Sequence, residues 1–128
     1  MSIETIDELA FFDKNPEALP LYHCFKERLS AELGPVKMRV QKTQITFSNK
    51  HVFACVSFIP VRKAAKQPKT YIVITLGLEH RLESPRVDVA VEPYPNRWTH
   101  HILISTPEEI DDELFLWVKE AAAFSANK

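Results

Sequence analysis

Along the first third of the chain, apolar residues return at helical spacing. Ile6, Leu9 and Phe12 share one face of a short helix or arm within residues 4–12. Asp13-Lys14-Asn15-Pro16 reads as a helix start, with Asn15 as N-cap and Pro16 at the first helical position. Pro20 would delete a backbone hydrogen bond inside that helix, so the firm helix is predicted from near Leu19. From there Tyr22, Phe25, Leu29 and Leu33 make a core-facing stripe, and Gly34-Pro35 ends it.

The period then changes to two. Val36 to Gln41 alternates with its apolar residues at even positions, whereas Gln44 to Phe47 has them at odd positions. Alternation cannot change parity without a bulge or turn, which is placed at Lys42-Thr43. Ser48-Asn49-Lys50 is a turn with Asn49 as the expected positive-φ residue. His51 to Ile59 is apolar on both parities and reads as a central strand covered on both faces. Residues 60–69 form a long hairpin loop. Lys69 to Leu76 is a strand ending at Gly77. Arg86 to Val91 is another, with Val87, Val89 and Val91 inward. Glu92 to Asn96 is a turn and Arg97 to Ile104 the last strand. Thr106 as N-cap, Pro107 and Glu109 form a capping box opening a helix whose apolar face is Ile110, Leu114, Trp117, Val118 and Ala121.

Strands in succession without intervening helices imply an α+β fold. The expectation is an antiparallel sheet of five or six strands, with an N-terminal and a C-terminal helix packed on one face. Residues 1–14 are read as an arm or short helix and 15–128 as a single domain. The length, 128 residues, suits one domain.

Composition narrows the chemistry mainly by exclusion. With 2 glycines the chain has no glycine-rich phosphate loop. Its 2 cysteines, Cys24 and Cys55, make no CxxC pair. No secretory h-region or ~18-residue apolar run is present, so the expectation is a cytoplasmic protein without membrane contact. Net charge is -1. Residues 36–104 nevertheless carry eleven basic against four acidic side chains, while both ends are acidic. That asymmetry marks either an anion-binding face or attraction between the ends and the middle.

The candidate chemistry is sparse. His100 and His101 are adjacent in a strand and point to opposite faces. His51 and Cys55 lie about 13 Å apart along another, too far for one metal ion. No metal site, catalytic set or cofactor is therefore expected. Cys24 and Cys55 read as small buried hydrophobes. The basic residues Lys37, Arg39, Lys42, Arg62, Lys63, Lys66, Lys69, Arg86 and Arg97 form a candidate polyanion surface, with nucleic acid as its partner, set against ordinary solvated charge. Phe115 and Leu116 fall beside the main stripe of the last helix and are candidates for homodimer contact. Lys42, Tyr71, Trp98, His100 and His101 are candidates for a small-molecule pocket between sheet and helices.

The segment Arg39-Val40-Gln41-Lys42-Thr43-Gln44-Ile45-Thr46-Phe47, followed by Phe53-Ala54-Cys55-Val56, resembles a bacterial family known only as domain of unknown function 5655. Its members typically carry a Lys-Thr-aromatic-Ile-x-Phe stretch and then Phe-Ala. The later Arg97-Trp98-Thr99-His100-His101 and Ser105-Thr106-Pro107-Glu108-Glu109-Ile110 match its Trp-containing strand and capped, acid-rich final helix. The likeness covers about residues 15–124. Pro95-Asn96-Arg97-Trp98 stands where members often have Gly-His-Trp-Gly. The resemblance implies a domain that occurs alone or appended to others and has no established activity. More loosely, the chain is similar to YjbR-type small domains, for which DNA binding has been suggested. The leading expectation is a non-enzymatic binding domain. A homodimerisation module and a pocket-bearing binding protein or enzyme are the alternatives.

Overall fold

The computed structural model describes residues 5–127. Its elements run α1 (Ile6–Phe11), α2 (Leu19–Leu33), β1 (Lys37–Val40), β2 (Gln44–Ser48), β3 (Val52–Ser57), β4 (Ile72–Leu78), β5 (Val89–Tyr94), β6 (Arg97–Ile104) and α3 (Asp112–Ala126). Single 3₁₀ turns lie at Pro16–Ala18, Ala64–Lys66 and Pro107–Glu109. Every strand pair is antiparallel, and the six strands lie in the order β1-β2-β3-β4-β6-β5. The fold is α+β, as the period pattern implied.

One face of the sheet carries the core. Ile45 and Phe47 lie opposite Ala54 and Val56, then Ile74 and Leu76, then Ile102, all buried. The helices close over this face. Phe25 of α2 meets Phe47 at 6.0 Å and Phe115 of α3 at 5.4 Å between ring centroids. Each such side chain, fully buried, contributes roughly 1.5–3 kcal/mol. Gly34 ends α2 at φ 74, a conformation open to residues without a Cβ, and donates to the Ser30 carbonyl at 2.9 Å.

The parity change between β1 and β2 has a simple cause. Val40 pairs with Ile45, and the Gln41 N–H donates to the Gln44 carbonyl at 2.8 Å, leaving Lys42-Thr43 as a two-residue turn. In that register every even position faces an odd one, so no bulge is needed. The bulge falls in β3 instead: Phe47 faces Ala54 while Ser48 faces Val52, and the extra residue, Phe53, puts its ring into the core.

Several expectations are corrected. Ile6 and Leu9 are exposed and do not face the core with Phe12. The turn of α1 that packs inward carries Glu8, fully buried and met by the Tyr22 hydroxyl, Lys26 Nζ at 2.9 Å and the Thr5 N–H at 2.7 Å. A carboxylate with this many donors can displace apolar side chains from the interface. Asn49 does not take positive φ. Among described non-glycine residues that is Asn96, in the β5–β6 turn. Asn49 instead ties the β2–β3 turn to α3, donating to the Ala122 carbonyl at 2.8 Å and accepting from Ser125 Oγ at 2.6 Å.

The Thr106–Glu109 capping box closes only a 3₁₀ turn. α3 starts afresh at Asp112, with Asp111 accepting from the Leu114 N–H at 3.0 Å. β5 runs on through Pro93, which an edge strand tolerates because no ladder donor is lost from the sheet interior. Val89 and Val91 lie on the face away from the helices, because Val89 pairs with His101 and Val91 with Thr99.

Candidate functional site

The face away from the helices is built from a repeating register. Arg39, Thr46, Cys55, Thr75, His101 and Val89 form one row across all six strands. The neighbouring row holds Gly77, Thr99 and Val91. Gly77 lies inside β4 and does not end it, and a Cβ there would meet nothing within 4 Å. The space above it belongs to a cavity of about 410 Å³. Cys55, Thr75 and Thr99 contribute to its sheet side, Pro93 and Tyr94 come from the β5–β6 hairpin, and Phe124 comes from the last turns of α3. Arg97 and Trp98, at the start of β6, complete the rim. The size is within the range of small-ligand sites, and the lining is mainly apolar.

Exposed apolar surface gathers here. Val52 and Tyr94 line the cavity and are 49% and 70% exposed, and Val91 stands beside it at 47%. Arg97, on the rim, lies 5.0 Å from the Phe124 ring centre, whereas Arg81, outside the lining, lies 6.0 Å from the ring centre of Trp98.

Burial disfavours the charged forms of Cys55, His100 and His101. Burial pushes the Cys55 thiol up to about 11, so it stays protonated and is a poor nucleophile. Burial also lowers the pKa of His101, whose Nδ1 shares a hydrogen bond with the Thr75 hydroxyl at 2.8 Å. His100 points the other way, fully buried. Its Nε2 accepts from the Leu82 N–H at 2.9 Å, and burial lowers its pKa. Beyond Trp98, His80 is raised by its hydrogen bond to Glu120. Among the described residues no group of three or more His, Cys, Asp or Glu is placed to hold a metal ion. None of the described helices is long and apolar enough to cross a membrane.

The nine basic candidates divide into separate groups. Lys42, Arg62, Lys63, Lys66 and Lys69 lie at one end of the sheet, where the β1–β2 turn and the 58–71 segment meet beyond the Gln44–Ser57 pair. Arg62 pairs there with Asp88 at 2.7 Å. Lys37 and Arg39 lie along the β1 edge, and Arg97 sits at the opposite end. Arg86 is not part of a basic surface. It binds Asp111 at 2.9 Å, Glu113 at 3.0 Å and the Glu109 carbonyl at 2.7 Å, clamping the start of α3. Here the basic middle and the acidic end of the chain attract each other.

The five pocket candidates do not share a cavity. Tyr71 bonds the Phe58 carbonyl at the start of β4, near Lys42, which lines a small hollow with Phe11 and Phe58. Trp98 pairs with Leu78 at the other end of β4, about 20 Å away at ~3.3 Å per residue. His100 and His101 take opposite faces. Of the self-association candidates, Phe115 is buried against Phe25 with the Arg28 guanidinium 4.9 Å from its ring, and only Leu116 is exposed, at 65%. The composition and spacing gave no sign that Val52, Val91 and Tyr94 gather at one cavity. The Pro-Tyr-Pro turn at 93–95 was the nearest signal, an aromatic residue where a loop has no core to fill.

No curated protein and no solved structure matches the chain significantly, so the looser likeness to YjbR-type domains gains no support. The family model for the domain of unknown function DUF5655 matches residues 8–125, nearly the whole chain from the buried Glu8 of α1 to the last turn of α3, and the chain belongs to that family.

Proposed function

We propose that this domain is a non-enzymatic binding domain that takes a small apolar ligand in the cavity above Gly77. The observation that carries this reading is the convergence of exposed Val52 and Tyr94 with Trp98 and Phe124 around an open space of about 410 Å³. Apolar groups held in contact with water at a concave site gain by transfer to a ligand, at ~25 cal/mol per Å². Filling the cavity tests it. Gly77→Leu projects a side chain into open space from a backbone without positive φ. The variant is expected to stay folded and to lose binding of indole, followed through the Trp98 indole N–H signal in NMR. Unchanged binding by Gly77→Leu would refute the assignment.

A second reading concerns the other end of the sheet. Lys63, Lys66 and Lys69 are exposed and make no ion pair among the described residues, which favours contact with nucleic acid or another polyanion through the 58–71 segment. Replacing all three by Ser is expected to reduce the salt slope of nucleic-acid binding by about 2.7, at ~0.9 for each phosphate contact. Absence of binding at low salt would dismiss this reading.

A further inference from the structure

We propose that β1 is the docking edge for an extended acidic peptide, which adds to the six-stranded sheet as a further strand. The backbone register carries the first half of this inference. β1 is terminal in the strand order, so one side of it has no neighbouring strand. The Gln41 N–H donates to the Gln44 carbonyl at 2.8 Å, and in an antiparallel pair the bonded positions alternate. Arg39 and Lys37 therefore exchange their bonds with Thr46 and Ser48, whereas Met38 and Val40 turn both their N–H and C=O groups away from β2. No hydrogen bond reaches these outward backbone groups among the described residues. The other outer strand, β5, is blunted: Pro93 has no N–H, and the register shifts between Val91 and Tyr94.

The side chains carry the second half. Lys37 and Arg39 are exposed, point to the face away from the helices and make no ion pair among the described residues. In the antiparallel register that pairs both Met38 and Val40, a second copy of β1 would set Arg39 opposite Arg39 in the close, non-hydrogen-bonded position, about 4.5 Å between Cα atoms. Like charges so placed are destabilising, so this edge repels its own kind and accepts Asp or Glu opposite Arg39 and Lys37. Met38 and Val40 are half-buried and face the helices. On that face a hollow of about 140 Å³ between α2 and β1, whose apolar lining is Leu29, Pro35, Val36, Met38 and Phe47, has room for one aliphatic side chain. From the residue opposite Val40 to that opposite Lys37, the partner strand is thus apolar, acidic, apolar, acidic. Its main-chain bonds supply affinity and its alternate side chains supply selection.

The experiment titrates acetyl-Ser-Val-Glu-Val-Glu-Ser-amide into the full chain at low ionic strength and follows the Met38 and Val40 backbone amides by NMR. Both amides are expected to shift. The same peptide with Lys in place of Glu is expected to bind about tenfold more weakly. Lys37→Glu combined with Arg39→Glu, both at exposed positions, is expected to reverse that preference. Methylating the backbone nitrogen of the second valine, which faces the Met38 carbonyl, removes a ladder donor and is expected to abolish binding. Equal binding of the methylated peptide would overturn strand addition. Equal binding of the Lys peptide, or a charge-reversed variant that keeps the original preference, would overturn selection by charge. Concentration-dependent shifts of the two amides without peptide would make a second copy the occupant, and shifts of the same amides by oligo(dT) would assign the edge to nucleic acid. Either result overturns the proposal, as does the absence of any shift at millimolar peptide.

Discussion

Glu8→Ala is the sharpest perturbation of the fold. The Glu8 carboxylate is fully buried and receives three donors: the Tyr22 hydroxyl, Lys26 Nζ at 2.9 and 3.0 Å from its two oxygens, and the Thr5 N–H at 2.7 Å. Truncation takes this carboxylate away from the Lys26 ammonium, only 17% exposed, and from the Tyr22 hydroxyl, which also meets the Met38 sulfur at 3.4 Å. Breaking a buried pair in this way costs about 3–5 kcal/mol, out of the ~5–15 kcal/mol that holds a typical domain together. Glu8→Gln keeps the shape but turns an amide N–H₂ towards a donor, at about 1.5–3 kcal/mol. Glu8→Met combined with Lys26→Met removes both charges and is expected to recover most of the loss. Urea denaturation followed by circular dichroism gives these values directly. A loss below about 1 kcal/mol for Glu8→Ala would show that the carboxylate is solvated and that α1 is not anchored through it. Acid acts on the same bond. Burial raises the Glu8 pKa, but hydrogen bonds from Tyr22, Thr5 and Lys26 outweigh it and the net shift is downward. Its contribution to stability is therefore complete above the unfolded carboxylate pKa and is lost as pH falls through the folded one.

Three further outcomes are expected. Burial lowers the pKa of both His100 and His101, so the unfolded chain takes up protons first and stability falls as pH drops below ~6.5; His100→Gln should flatten that slope in thermal melts, and an unchanged slope would refute the assignment. Arg86→Met removes the guanidinium that donates through one nitrogen to Asp111 and Glu113 and through the other to the Glu109 carbonyl, so a loss of about 1–3 kcal/mol is expected, against no effect if the clamp is only a surface pair. If the chain self-associates through α3, Leu116→Asp should convert a dimer to a monomer by light scattering without changing stability, since Leu116 is 65% exposed; a wild-type monomer would end that proposal.

The element order was legible because it depends on local periodicity. The stripe of α2, the Gly34 stop and the alternation of β1, β2 and β6 each follow from the spacing of apolar residues within a few positions. The opposed His100 and His101 followed from the same rule. Legibility ended where a polar group found a distant partner. Asn49 reads as a turn residue because short amides tolerate positive φ, but its amide reaches α3 and that conformation is not used. Ile6 and Leu9 read as a core face because nothing local reveals that Glu8 will meet Tyr22 and Lys26. Phe115 reads as marginal on a helical wheel, yet Phe25 widens the face that α3 buries.

The site divides the same way. By itself the sequence placed one glycine at a helix end and the other at a strand end and so assigned any anion contact to side chains; the structure keeps Gly34 as the cap and moves Gly77 inside β4. Only the tertiary structure decided which side chains: strand register set Arg97 and Trp98 beside the space over Gly77 and sent Arg86 to the acids at the start of α3. The physical reason is range. Helix and strand patterns are properties of neighbouring residues, whereas a cavity and a charge left without a partner are properties of surfaces brought together from β3, β4, β6 and α3, which only folding makes adjacent.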